Sequence, residues 1–258
     1  AQKQYAKFGG YHSLFGRLSE ETIKLSEKII EVSPFEQGKV FFCNSGSEAN
    51  DTAMKMIWYY NAALGRPEKR KIISRKKGYH GVTMAAASMT ALQYAQDGFG
   101  LPLDFVKHTS APDFYNEALP DESEEAFANR CAADLEALII KEGPETVAAL
   151  FAEPVMGAGG VIIPPRTYFD KIREVLKKYD VLLVADEVIC GFGRTGNMWG
   201  SETLDVRPDI LTCAKALSSA YLPISAVMVS EKIYAPIAGQ AEHLGIFGHG
   251  YTYSAHPV

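Results

Sequence analysis

Four short apolar runs constrain this chain more than any other feature: VAALFA (147–152), VLLVA (181–185), ILTCA (210–214) and ISAVMV (224–229). None alternates apolar with polar residues, so none reads as a strand with one wet face. Uninterrupted runs of this length suit strands covered on both sides, as in a parallel sheet. Helical spacing fills the gaps. Residues 124–141 place Phe127, Cys131, Leu135 and Leu138 on one stripe and stop at Gly143-Pro144. Residues 167–179 do the same with Phe169, Ile172, Val175, Leu176 and Tyr179. Upstream, 39–43 and 71–74 read as further strands. A helix with Ala49, Ala53, Met56, Ile57, Tyr60 and Leu64 on one face follows the first of them. Residues 19–33 read as a helix with acids in its first turn. Residues 1–18, with Gly9, Gly10 and Gly16 among aromatics, read as irregular. Strand and helix in alternation predict an α/β layered fold.

Composition narrows the class. The chain has 258 residues, 47% hydrophobic and 22% charged, with a net charge of −5 spread along its length. It holds enough residues for a substantial core, and no concentrated basic footprint of a nucleic-acid binder. Lys69-Arg70-Lys71 and Arg75-Lys76-Lys77 read as a solvated loop and a strand end. Cys43, Cys131, Cys190 and Cys213 include no CxxC pair, and the histidines show no ligand spacing. Buried thiols in a reducing, cytoplasmic setting are expected, without a catalytic metal. No apolar stretch approaches 20 residues, so no membrane span is expected.

In an open α/β sheet ligands bind beyond the carboxyl ends of the strands. VFFC is followed by Asn44-Ser45-Gly46-Ser47-Glu48, KIIS by Arg75-Lys76-Lys77-Gly78-Tyr79-His80-Gly81, and VAALFA by Glu153-Pro154-Val155. VLLVA is followed by Asp186-Glu187-Val188, and ILTCA by Lys215. Each item has an ordinary reading. Ser45 with Glu48 fits a helix cap as well as it fits a phosphate site. Asp186-Glu187 fits a strand-to-loop transition, Tyr79-His80 a packed turn, and Glu153 a partner for backbone groups. Lys215 fits a snorkelling strand-end lysine. Arg194 reads as a loop residue, and His249 and His256 as packed or loop histidines. Trp58 and Tyr59 read as packing on the helix.

Taken together, an anion cradle, a flat aromatic, a buried carboxylate and a lysine at one sheet edge suit pyridoxal 5′-phosphate (PLP). The phosphate fits Ser45-Gly46-Ser47 at a helix start. Tyr79 or His80 can stack on the ring. Asp186 can hold the proton on the ring nitrogen by a charge-assisted hydrogen bond. Lys215 can form the Schiff base, given burial or nearby positive charge to release its proton.

Six stretches in order, FFCNSGSEAND, KGYHG, FAEPVMGAGGVIIPP, LLVADEVICGFGRTG, RPDILTCAKALSSAYLPISAVM and FGHGYTYSAHP, cover nearly the whole chain. By them the chain resembles a class III (subgroup II) aminotransferase of PLP fold type I. It is most similar to the ω-amino acid/amine:pyruvate branch. The resemblance implies a mostly parallel sheet flanked by helices, with 39–258 as the PLP-binding large domain and 1–38 as a lead-in. It implies Lys215 and Asp186 as catalytic residues. Val188 and Tyr79 would pack on the two ring faces, and Gly46 and Ser47 would bind the phosphate with Ser45 nearby. His80 and Glu153 would lie near the cofactor. Tyr251 and Thr252 match a segment that reaches the phosphate of a neighbouring subunit, which implies a homodimer with shared sites and leaves a tetramer open.

The implied reaction moves an amino group from an ω-amino acid or amine to pyruvate or a similar keto acid, through a Lys215 Schiff base and the pyridoxamine form. Aminomutase, racemase and decarboxylase chemistry use the same residues, and an inactive fragment is the remaining alternative. Relatives run longer, so a preceding segment and a C-terminal small domain are expected to be missing. Two departures stand out. Where relatives often read KGLTSGYLPLGA, this chain has Lys215-Ala216-Leu217-Ser218-Ser219-Ala220. Alanine and serine in place of glycine predict that this backbone needs no positive φ. Met156 replaces a frequent glutamine.

Overall fold

The computed structural model describes residues 1–8 and 16–258. In chain order the elements begin α1 (Gln2–Phe8), α2 (Glu20–Glu31), β1 (Gly38–Cys43), α3 (Gly46–Ala63), β2 (Lys71–Arg75) and α4 (Met84–Met89). Then come β3 (Val106–Thr109), α5 (Phe114–Glu117), α6 (Glu124–Glu142), β4 (Val147–Ala152) and α7 (Tyr168–Lys178). The remainder is β5 (Leu182–Asp186), α8 (Gly200–Thr203), β6 (Ile210–Cys213), β7 (Ser225–Ser230) and α9 (Glu231–Leu244).

The strands form one seven-stranded sheet in the order β1-β7-β6-β5-β4-β2-β3. Pairing is parallel from β6 through β5, β4 and β2 to β3. β7 is antiparallel to both neighbours, with Cys43 opposite Ser225 and Cys213 opposite Ala226. The run containing β7 therefore follows a different rule from the one its composition suggested. Its inner residues are buried on both faces, and two-sided burial, not strand direction, is what removes polar residues from a strand.

Side chains alternate between two helical layers. Val184 and Leu182 face a cluster containing Ala53, Ile57 and Ile237 of α3 and α9, whereas Leu183 faces Phe127, Leu135, Ile172 and Leu176 of α6 and α7. α2 covers the β1 end through Ile29. Local caps match the sequence: Ser19 accepts from Thr22 N–H, Ser123 accepts from Ala126 N–H, and α6 ends at Gly143 with φ 91°.

Some elements depart from expectation. Residues 2–8 are helical, not irregular; QKQYAKF has no apolar stripe but good helix formers, and Gln4 Nε2 donates to Glu21 Oε1 at 2.6 Å. Gly9 and Gly10 lie outside the described residues. β3, α4, α5, α8 and α9 have no sequence-based counterpart. β3 is an edge strand with a mixed burial pattern, and α9 carries Pro236 inside it.

β7 runs against its neighbours, so its amino end lies beside the carboxyl ends of the others. The loops after β1, β2, β4, β5 and β6, and the segment entering β7, therefore meet at one edge of the sheet.

Candidate active site

These loops enclose a cleft of about 860 Å³. Ser45, Gly46, Ser47, Tyr79, His80, Glu153, Asp186, Val188 and Lys215 all line it.

The floor begins at the start of α3. Ser45 Oγ accepts from Glu48 N–H at 3.2 Å and Glu48 Oε2 accepts from Asn44 N–H at 2.8 Å, so the capping reading of this motif is realised. The cap uses one acceptor position of Ser45 Oγ and leaves the N–H groups of Gly46 and Ser47, the first two of the helix, without an intrahelical acceptor. Ser47 Oγ accepts from Val82 N–H at 3.0 Å, which leaves its own hydrogen to donate. Two glycines make this approach possible. A Cβ on Gly81, where φ is 131°, would sit 2.4 Å from Ser47 Oγ, and a Cβ on Gly46 would press both Val188 methyls at 3.1 Å. Cap and anion cradle therefore coexist, and the donors suit a phosphate.

Asp186 ends β5 and is 3% exposed. Its Oδ2 accepts from Asn50 Nδ2 and from His80 Nδ1, both at 2.8 Å, and its Oδ1 accepts from Val188 N–H at 3.1 Å. A carboxylate oxygen only accepts, so His80 Nδ1 carries the hydrogen of that bond. His80 is thus not a free stacking surface. Its ring is buried, edge-on to Phe151 at 6.2 Å, and its Nε2 has no hydrogen-bond partner among the described residues. Tyr79 and Val188, both half-buried, are apolar surfaces of the cleft beside Asp186.

Glu153 is 2% exposed and accepts from Tyr79 N–H at 3.0 Å and Gly157 N–H at 2.9 Å. Burial pushes its carboxyl above the usual range, with the neighbouring His80 pulling the other way. Glu187, the third acid of these loops, faces away from the cleft: its carboxylate accepts from Gly200 and Ser201 N–H at 2.9 and 2.7 Å.

Lys215 departs from expectation. It lines the cleft, but it is exposed and pairs with no group among the described residues. Burial of this strand-end lysine is not what the fold supplies. Nor is the following backbone relaxed: Lys215, Ser219 and Ala220 have φ of 42°, 49° and 66°, contrary to the reading of the glycine replacements. The fold requires the left-handed turn, and non-glycine residues adopt it there. Arg194, read as a loop residue, is exposed and lines the cleft.

Tyr251 and Thr252 do not line the cleft of their own chain. Tyr251's hydroxyl is 3.2 Å from Thr52 Oγ1 on α3, and Thr252 is exposed. Met156 is fully buried with Ala111 and Ile162. His249 stacks on Phe41 and meets Thr52, as a packed histidine.

Sequence reasoning missed Asn50, which is fully buried and touches Asp186, His80 and Thr212. The available signal was an amide on the core face of a helix otherwise lined by Ala49, Ala53 and Ile57.

The anion donors, the acid with acceptor capacity toward the cleft and the lysine fit PLP in kind and in number. Comparison with known proteins gives the same direction. The family model for class-III aminotransferases matches residues 1–258. A probable gamma-aminobutyrate transaminase 3, mitochondrial, of Oryza sativa subsp. indica is 54% identical over all of this chain and 51% of its own length. A vanillin aminotransferase of Capsicum chinense is 51% identical, with 56% of its length covered. The omega transaminase of Pseudomonas jessenii, solved in complex with PMP, superposes with a TM-score of 0.97 at 53% identity, over 99% of this chain and 56% of that one. An omega-aminotransferase from Paracoccus denitrificans gives 0.96 at 48% identity, over 99% of this chain and 57% of that one. The chain spans about half the length of the curated relatives it matches. With every residue matched by the family model and the fold shared at this identity, the chain belongs to the class-III aminotransferase family.

Proposed function

We propose that the protein containing this chain is a PLP-dependent aminotransferase that moves an amino group from an ω-amino acid or amine to pyruvate or a similar keto acid. The observation that carries the proposal is the meeting of the α3 start, Tyr79, Asp186, Val188 and Lys215 in one cleft, although they come from four separate segments of the chain. Bound PLP supplies an electron sink that stabilises negative charge at the substrate carbon. The chain's residues do the rest. Gly46 and Ser47 donate to the phosphate. Asp186 would accept a charge-assisted hydrogen bond from the ring nitrogen and keep it protonated, and Val188 and Tyr79 would pack on the ring. Lys215 Nζ would be the group that anchors the cofactor covalently and, when freed, would move the proton at the substrate carbon. Glu153 sits beside the ring slot, held by Tyr79 and Gly157 N–H.

Residues 39–258 form the cofactor-binding large domain in this reading, with 1–38 as its lead-in packed through Ile29 of α2. A homodimer with shared sites is part of the proposal. Tyr221 is 87% exposed and Leu222 43%, both lining the cleft next to Lys215, and Thr252 is exposed on its own chain. A second copy that covers this mouth, with Thr252 reaching its phosphate, would bury all of them. Names of relatives support the donor class: several are gamma-aminobutyrate transaminases. Among the described residues no helix is long and apolar enough to cross a membrane. The four cysteines are free and buried, which supports a reducing compartment such as the cytoplasm. Relatives named mitochondrial or chloroplastic show that family membership alone does not fix the compartment.

The test is amino exchange by the full-length protein. With an ω-amino acid and pyruvate, alanine should form in step with loss of the donor amine, and Lys215→Ala should abolish it. Conversion of the amino acid without consumption of pyruvate would point to isomerisation or decarboxylation and contradict the proposal.

A further inference from the structure

The functional reading leaves without a role a buried polar residue that bonds Asp186. Asn50 lies on α3 with no exposure, four residues after Gly46. Positions i and i+4 share a helix face, so Asn50 points the same way as the first turn that forms the anion cradle. Its hydrogen bonds are complete and directional. Thr212 Oγ donates to Asn50 Oδ1 at 2.9 Å, which fixes the amide orientation. The opposite end, Nδ2, then donates to His80 O at 2.7 Å and to Asp186 Oδ2 at 2.8 Å.

We infer that Asn50 is a positioning residue for Asp186, which it and His80 orient so that Oδ1 is the oxygen offered to the ring nitrogen of the cofactor. Counting acceptor positions leads there. Each carboxylate oxygen has two lone-pair directions in the carboxylate plane. Oδ2 uses both, on Asn50 Nδ2 and His80 Nδ1; Oδ1 uses one, on Val188 N–H. The remaining in-plane acceptor position is on Oδ1. Without Asn50 the carboxylate would keep His80 and the Val188 N–H but lose the donor that opposes rotation about Cβ–Cγ. The same bond ties Asp186, at the end of β5, to the helix whose first turn receives the phosphate. Asn50 thereby couples the two ends of the cofactor's seat.

This inference rests on the PLP reading, and its test separates the two. The full-length protein is titrated with PLP and with an analogue that carries C–H in place of the ring nitrogen. Wild-type protein should prefer PLP. Asn50→Ala should shrink that preference about tenfold, the scale of one charge-assisted hydrogen bond set out of line, while affinity for the analogue changes little. Thr212→Val keeps the shape of the residue, frees the amide to rotate, and should shrink the preference in the same direction by less. Equal loss of affinity for both cofactors, or an unchanged preference in both variants, would overturn the positioning role. Wild-type protein that binds neither cofactor would overturn the PLP reading and this inference with it.

Discussion

His80 Nδ1 and Asp186 Oδ2 meet at 2.8 Å, with their side chains 0% and 3% exposed. A buried carboxylate stripped of water needs donors in place, and this one has three: His80, Asn50 and the Val188 N–H. The arrangement holds Asp186 as an acceptor aimed at the cleft. In Asp186→Asn the new amide group would face either two donors or a third, so neither rotamer fits. Amino transfer by the full-length protein is expected to fall by about 10²–10³-fold, the usual effect of removing one preorganised electrostatic partner. Steady-state kcat/KM checks this, and a loss of less than about tenfold would contradict the role.

The anion cradle depends on close backbone approach at Gly81. With φ at 131° and a Cβ that would reach 2.4 Å from Ser47 Oγ, Gly81→Ala must both strain the turn and displace the hydroxyl. The expected cost is about 1–3 kcal/mol of stability. Weaker PLP binding should accompany it, because Ser47 is a proposed phosphate donor. Denaturant midpoint and cofactor titration measure the two effects separately.

Ala220 pulls the other way. Its φ of 66° is left-handed, where a methyl side chain is disfavoured and glycine is not. Ala220→Gly is expected to stabilise the protein by about 0.5–1 kcal/mol, the relief of strain exceeding the added freedom of the unfolded chain. Chemical unfolding of wild type and variant compares them directly; a destabilised variant would show that the turn is not strained.

Glu153 should leave a signature in pH dependence. Burial raises its pKa in the folded state, so the folded protein binds more protons than the unfolded one between the two values. Its contribution to stability is full below the unfolded pKa, about 4.3, and is lost as pH rises through the folded value. Glu153→Gln removes this contribution. Wild-type stability minus variant stability should therefore decrease as pH rises from about 4 through the weakly acidic range. A difference that stays flat or increases over that interval would contradict it.

Strand positions and most of the site were legible in sequence because burial on both faces erases polar residues from strands, and because strand ends are where an α/β sheet exposes chemistry. VAALFA became β4 without a residue's shift. The same logic puts Asp186 and Lys215 at the sheet edge from the sequence alone. It failed where local pattern and tertiary context part. β3 is a half-covered edge strand, so its residues carry no continuous apolar run. Ser219 and Ala220 hide a left-handed turn because their side chains tolerate, at a cost, what glycine adopts freely. Asn50 looks like an ordinary helix residue until the fold brings β5 and β6 against it.

The central claim is that Lys215 anchors PLP in this cleft. The direct measurement is the visible spectrum of the full-length protein with PLP, followed by borohydride reduction, digestion and mapping of the labelled peptide. The account expects a yellow protein whose colour is lost on reduction and whose label is fixed on Lys215. No colour on folded protein, or a label on another lysine, would contradict it.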